Sequence, residues 1–159
     1  MRDGATRVRV STIVAADPAD SFEVFTRETA LWWRRDSRFG ISSSVPGILR
    51  FEPDGAGGGR VVEEFPGSDS VEVGTILVWQ PGARLVFEWR SSRFDPSIQT
   101  EVEVTFVRVK SGTEVLLEHR GWNPDRDSQA FRDWLGLWWG DLFTSYRFHS
   151  RRRAESPTS

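Results

Sequence analysis

The chain has 159 residues, a formal net charge of −2 and no cysteine. A chain of this length fits one domain and buries roughly two thirds or more of its unfolded surface, so it can build a core unaided. The near-neutral charge gives no indication of nucleic-acid binding, and the lack of cysteine excludes disulfides, thiol nucleophiles and cysteine-based zinc sites.

The beginning of the sequence carries no targeting signal. Residues 1–6 are mostly polar and run directly into an alternating strand pattern, without the apolar core of a signal peptide. No stretch approaches the ~18 apolar residues that a membrane helix needs. We therefore expect a short N-terminal tail over 1–6, a cytoplasmic location and no insertion into membranes.

Aromatic residues are unusually frequent in this chain. The sequence has 8 Trp and 11 Phe but only 1 Tyr and 1 Met. Several large rings can fill the core of a small domain, and converging rings also line pockets for apolar or flat ligands. The composition alone leaves both interpretations open.

A strand and two short helices are predicted at the start of the domain. Apolar and polar residues alternate over 7–15, which is typical of a half-buried strand. Asp17 is a good N-cap and is followed by a proline at the first helical position, so a helix should run to about Arg27. A second short helical segment carries the Trp32-Trp33 pair, which we interpret either as a gate at a cavity mouth or as a hydrophobic plug.

Six further strands follow, separated by turns rich in Pro and Gly. Short turns between consecutive strands predict an antiparallel meander. Alternation places Thr100, Val102, Val104 and Phe106 on one face and polar residues on the other. The predicted strands cover residues 48–52, 60–65, 71–80, 84–90, 99–110 and 113–121.

A long helix closes the domain. Phe131, Trp134, Trp138, Leu142 and Tyr146 recur at helical spacing, and the pattern ends near residue 148. Two glycines inside this helix, at positions 136 and 140, each cost about 1 kcal/mol relative to alanine, which favours a packing or cavity role for them. We expect residues 150–159, which include three consecutive arginines, to be a disordered tail.

This order of elements predicts an α+β helix-grip fold. In that fold a curved antiparallel sheet of seven strands wraps round a long C-terminal helix, with two short helices after the first strand. The space between sheet and helix is its natural cavity. We expect a single domain over residues 7–149.

Several segments resemble one branch of a known superfamily. They are the strand–"A-x-P"–helix opening at 14–26, the Trp32-Trp33 pair, the Gly-Gly-Arg strand at 57–64, the strand pair at 73–89, and the last two strands at 100–106 and 112–122. Together they resemble the AHSA1-like (activator of Hsp90 ATPase homologue 1-like) group of the SRPBCC/START/Bet v 1-like superfamily over roughly residues 7–148. Gly82 replaces the second proline of that pattern, and Trp139 adds bulk to the last helix.

The resemblance implies the helix-grip fold and a cavity of lipid or small-molecule size. We therefore predict binding of a hydrophobic or aromatic small molecule, with no cofactor and no metal, by a monomer or weak homodimer. The residues expected to line the cavity are Trp32, Trp33, Phe51, Trp79, Phe87, Trp89, Phe106, His119, Trp122, Trp134 and Trp138.

Two alternatives to simple binding remain open. Members of the wider superfamily include cyclase/aromatase- and hydrolase-like enzymes, for which His119 and Glu64 are the candidate proton-transfer groups here. We favour a structural role for His119 over proton transfer. Glu63 and Glu64 point to opposite faces of a strand, so at most one of them faces the cavity. The other alternative is an Hsp90-type co-chaperone or interaction module, which rests on the family name alone.

Overall fold

Alternating apolar residues and tight glycine turns build one antiparallel sheet that packs against three helices. The structure, a computed structural model, describes residues 7–41, 47–67, 69–90, 100–122 and 128–155. The elements are β1 Arg7–Val14, α1 Pro18–Arg27, α2 Thr29–Trp32, a 3-10 turn Ser37–Phe39, β2 Ile48–Pro53, β3 Gly59–Glu64, β4 Ser70–Gln80, β5 Arg84–Trp89, β6 Thr100–Val109, β7 Gly112–Arg120 and α3 Gln129–Glu155.

The sheet has seven strands in the order β1-β7-β6-β5-β4-β3-β2, and every neighbouring pair is antiparallel. The core lies between one face of this sheet and the helices α1, α2 and α3. The predicted helix-grip fold is therefore confirmed. The strand bounds agree with the prediction to within two residues at each end.

One end of the sheet carries Trp89, the last residue of β5, and Trp122, which follows β7. β5 ends and β6 begins there, with Trp89 opposite Thr100, and β7 ends there, with Arg120 opposite Arg7 at the start of β1. We call this the upper end of the sheet. Residues 42–46, 91–99 and 123–127 lie outside the described residues.

The outer face of the sheet carries ion pairs instead of isolated polar side chains. Arg120 lies 3.3 Å from Glu101, 2.9 Å from Glu103 and 3.3 Å from Glu118. Burial opposes ionisation of Glu103, but hydrogen bonds from Arg84 and Arg120 outweigh it and hold the pKa of Glu103 below its usual value. The prediction that this face points outward is confirmed, although single pairs of this kind contribute little stability.

The C-terminal helix is longer than predicted. We expected it to end near Phe148 and to be followed by a disordered tail from residue 150. The helix instead continues to Glu155, so this expectation was wrong for residues 150–155. The added turns are held against α1 because Arg153 lies 3.2 Å from Glu28, whose other oxygen is 2.8 Å from His149 Nε2. Basic residues in the last helical turn also interact favourably with the helix dipole.

The two glycines of α3 have different surroundings. A Cβ atom on Gly136 would lie 3.9 Å from Val8, an ordinary van der Waals distance, whereas no atom of the described residues lies within 4 Å of a Cβ on Gly140. Gly140→Ala should therefore raise the free energy of unfolding by about 1 kcal/mol, the helix-propensity gain. Urea unfolding of the variant tests this, and a loss of stability would show that the helix needs a bare backbone there.

Candidate functional site

Five tryptophans and one histidine form a continuous cluster in the interior at the upper end of the sheet. The ring centroids of Trp89 lie 6.1 Å from Trp138, 5.6 Å from Trp139 and 6.5 Å from Trp33. His119 lies 6.0 Å from Trp122 and 6.1 Å from Trp139. We call the set Trp33, Trp89, His119, Trp122, Trp138 and Trp139 the tryptophan cluster.

Every layer of the fold contributes to this cluster. Trp89 is the last residue of β5, His119 lies on the inner face of β7, and Trp122 follows that strand after Gly121, whose φ of 98° turns the chain. Trp33 follows α2 directly, and its backbone N–H caps that helix. Trp138 and Trp139 are neighbours on α3, and both face inward. The core-facing surface of the helix is wide enough to include one of them at each of its edges.

His119 is fully buried and is held by hydrogen bonds at both ring nitrogens. The indole N–H of Trp139 donates to Nδ1 over 3.1 Å, which fixes the proton of the neutral ring on Nε2. Nε2 in turn donates to Thr100 Oγ1 at 2.8 Å, and the Thr100 hydroxyl donates to the carbonyl of Trp89 at 3.1 Å. The chain of donors and acceptors is complete with an uncharged imidazole.

This environment strongly disfavours protonation of His119. Burial, with a smaller contribution from the positive charge of Arg120, lowers the pKa of His119 to about 3. A general base or acid needs a free ring nitrogen within reach of the substrate and a pKa near the working pH. His119 meets neither condition, so the geometry supports a structural role for it over proton transfer.

The indole N–H groups of five interior tryptophans fall into two classes. Those of Trp32, Trp138 and Trp139 donate to the Val24 carbonyl, the Arg38 carbonyl and His119 Nδ1 at 3.0, 2.8 and 3.1 Å. Those of Trp33 and Trp122 are buried and have no acceptor among the described residues. Buried donors are rarely left unpaired, since each lost partner costs about 1–3 kcal/mol.

The segment after Trp33 covers one side of the cluster. Phe39 is fully buried, with its centroid 5.5 Å from that of Trp138, and Arg34 and Arg38 stack over its ring at 5.3 and 5.0 Å. Arg38 also pairs with Asp141 of α3. These contacts fasten the 3-10 turn to α3 across the cluster.

The other residues predicted to line a cavity lie elsewhere in the interior. Phe51, Trp79, Phe87 and Phe106 form a second aromatic group with Phe22 and Phe25 of α1, linked to the tryptophan cluster through Phe87 and Trp89 at 5.9 Å. Trp32 packs against Tyr146 and Phe25 and is 1% exposed, so it does not lie at a mouth. Trp134 is half-buried beside Phe131.

The carboxylate pair of β3 is split between the two faces of the sheet. Glu63 is fully buried and accepts a hydrogen bond of 2.8 Å from the backbone N–H of Ile41. Glu64, the carboxylate considered for proton transfer, lies 38% exposed and 2.6 Å from Arg50 on the outer face. The carboxylate that the structure places in the interior is therefore Glu63.

Sequence reasoning missed the role of three interior residues. Trp139 was treated only as extra bulk, although it follows Leu135 by four residues and so shares its helix face. Thr100 was assigned to the inner face of its strand but not recognised as the partner of His119. Glu63 shares the inner face of β3 with Val61, two residues earlier, so strand alternation was the signal that could have identified it as the interior carboxylate.

Two surface grooves lie away from the tryptophan cluster. One, of about 370 Å³, is lined by Ile13, Arg147 and Arg151, and the other, of about 600 Å³, lies between β1 and α3 beside Gly136. Neither contains a residue predicted to line the cavity. In the part of the chain that the structure describes, no helix is long and apolar enough to cross a membrane, and no group of three or more His, Asp or Glu side chains could hold a metal ion.

Comparison with protein families gives a match over most of the chain. The family model of activator of Hsp90 ATPase homolog 1-like proteins matches residues 15–143. A comparison with functionally curated proteins finds no significant match.

Solved structures of the same fold are similar in shape but distant in sequence. A protein from Rhodobacter sphaeroides is 19% identical, with a TM-score of 0.68 over 98% of this chain and 97% of its own. A protein from Cytophaga hutchinsonii is 17% identical, with a TM-score of 0.64 over 94% and 97%. A putative protein of the dynemicin biosynthetic locus is 19% identical, with a TM-score of 0.58 over 95% of this chain and 48% of its own. At these identities the likeness establishes the fold.

Proposed function

This chain belongs to the activator of Hsp90 ATPase homolog 1-like family, and on that premise we propose that it binds a hydrophobic or aromatic small molecule against the tryptophan cluster. The binding unit is the single domain over residues 7–149. We expect the protein to act in the cytoplasm as a monomer or weak homodimer.

The observation that carries this proposal is the pair of unpaired indole N–H groups. The ring of Trp33 lies 6.3 Å from that of Trp139, and the ring of Trp122 lies 6.0 Å from that of His119. Both indole donors are buried without an acceptor among the described residues. Ligand sites are mostly apolar walls with a few polar groups that fix orientation. Two unpaired N–H donors among aromatic rings match this description of a ligand site, and an acceptor atom of a bound molecule would pair with them.

The entrance through which a ligand would reach the tryptophan cluster lies, in this proposal, at the upper end of the sheet. Trp89 is the last residue of β5 and Trp122 follows β7, so both lie at this end. At the opposite end, the second aromatic group is closed by packing between α1 and the sheet, with Phe22 5.1 Å from Trp79. We therefore propose that ligands reach the cluster from the upper end.

The two alternative functions receive no specific support from the geometry. An enzyme that uses His119 would need one of its ring nitrogens to be free, and both are engaged by Thr100 and Trp139. A co-chaperone role rests on the name of the family, and no described surface feature favours it.

Binding can be tested with the purified chain. Native mass spectrometry should first detect any bound molecule carried through purification. Titration with a panel of fatty acids, sterols, flavonoids and polyketide-like aromatics should then produce saturable quenching of tryptophan fluorescence by at least one class.

A substitution within the cluster links the quenching to the site. Trp33→Phe should weaken binding about three- to thirtyfold, since it removes a donor and part of a contact surface. Trp79→Phe is the matched control, because this tryptophan is half-buried at the opposite end of the sheet. A mass without ligand and no saturable quenching by any compound would rule out the proposal.

A further inference from the structure

The buried side chains among the described residues include a carboxylate but no cation. The described residues include no buried lysine or arginine, and the one charged side chain among them that is buried is the carboxylate of Glu63. Arg34 and Arg38, which stack over Phe39, are 48% and 42% exposed and have the carboxylates of Asp36 and Asp141 as partners. An anionic group inside the cluster would therefore meet no described cation.

The two buried side-chain atoms of the cluster that lack a hydrogen-bond partner among the described residues are both donors. An indole N–H can donate but cannot accept, so Trp33 and Trp122 can pair only with an acceptor. The groups between them are already engaged, because His119 donates to Thr100 and Thr100 donates to the Trp89 carbonyl. Both ring nitrogens of His119 are engaged, so neither can accept from a ligand hydroxyl or amine.

From these two features we infer that the site selects uncharged aromatic molecules with carbonyl or ether oxygens and rejects carboxylates such as fatty acids. The inference rests on the proposed function and specifies its ligand class. A neutral acceptor gains a hydrogen bond from Trp33 or Trp122. A carboxylate loses its hydration and is not neutralised by any buried cation among the described residues.

Three compounds with one ring skeleton separate these effects. Fluorene offers no acceptor, 9-fluorenone offers one carbonyl, and 9-fluorenone-4-carboxylate adds a negative charge. Dissociation constants measured by isothermal titration calorimetry should show fluorenone binding about three- to tenfold more tightly than fluorene, the value of one neutral hydrogen bond. The carboxylate should bind at least tenfold more weakly than fluorenone.

Substitutions test whether the indole N–H groups of Trp33 and Trp122 cause the preference for fluorenone over fluorene. Trp33→Phe or Trp122→Phe should reduce the ratio of the fluorene and fluorenone dissociation constants, whereas Trp79→Phe should leave it unchanged. The ratio cancels general effects of a smaller ring on packing, because both compounds share one skeleton.

The outcomes distinguish this inference from the function on which it rests. Equal binding of fluorene and fluorenone, or tighter binding of the carboxylate, would overturn the ligand class while binding itself stood. An unchanged ratio in both Phe variants would also overturn it. If none of the three compounds, and no member of the wider panel, bound to the protein, both the proposed function and this inference would fail.

Discussion

Acidification from pH 6.5 to about 3 is expected to remove about 5 kcal/mol of stability through His119 alone. Burial lowers the pKa of His119 in the folded protein to about 3, from 6.5 in a free side chain. Between these values the unfolded chain binds a proton that the folded chain excludes, so the free energy of unfolding falls by about 1.4 kcal/mol for each unit that the pH decreases. The stability that neutral His119 contributes is fully present well above pH 6.5 and is lost as the pH falls towards 3.

His119→Gln is the control for this expectation. A glutamine amide can accept from Trp139 and donate to Thr100, as the neutral imidazole does, but it does not titrate. Urea unfolding at several pH values between 5 and 6.5 avoids most carboxylate titration, and the variant retains His149. Over this range the wild-type slope should exceed that of the variant by about 1 kcal/mol per pH unit on average, because the unfolded histidine is only half protonated at pH 6.5 and nearly fully protonated at pH 5. Equal slopes would mean that His119 is protonated in the folded protein.

Trp139→Ala should destabilise the protein by about 4–6 kcal/mol. Truncation of a buried tryptophan costs about 3–5 kcal/mol through lost contacts and the cavity left behind. Trp139 is fully buried between Trp89 and Trp138, and its loss also leaves Nδ1 of His119 without the donor it now has. For a domain with a total stability of roughly 5–15 kcal/mol, this is a large fraction.

Trp134→Ala provides the comparison for Trp139→Ala. Trp134 lies on the same helix but is half-buried and packs beside Phe131. Its truncation should cost about 1–2 kcal/mol, as expected for partial burial. Thermal and urea unfolding of both variants measures the difference. Similar losses in the two variants would contradict the central position of Trp139.

The fold was predictable because local signals agree along the chain. Pro-Gly and Gly-rich turns separate the strands, and alternation in β6 placed Thr100, Val102, Val104 and Phe106 on the buried face, where they are found. The inward faces of β5 and β7 were predictable for the same reason. Side-chain period and turn chemistry are local properties, so a single sequence contains them.

The details of the site depended on contacts between distant residues. His119 takes its partners from positions 19 and 20 residues away, on β6 and α3, and nothing local to it indicates either one. The unpaired donors of Trp33 and Trp122 are likewise invisible in the sequence, since three other indoles in the same interior find acceptors. The extra helical turns to Glu155 depend on Glu28, the residue that follows α1, and the periodicity of a single helix cannot reveal this contact.

The most direct test of ligand binding at the tryptophan cluster is a ¹H–¹⁵N correlation spectrum of the 8 indole N–H groups during titration with 9-fluorenone. Substitution of each tryptophan by phenylalanine assigns the signals. We predict that the Trp33 and Trp122 protons shift downfield as they gain an acceptor, while the Trp139 proton, already bonded to His119, keeps its hydrogen-bonded position. Saturation that leaves the Trp33 and Trp122 signals unmoved, or that moves only the half-buried Trp79 and Trp134, would contradict the account.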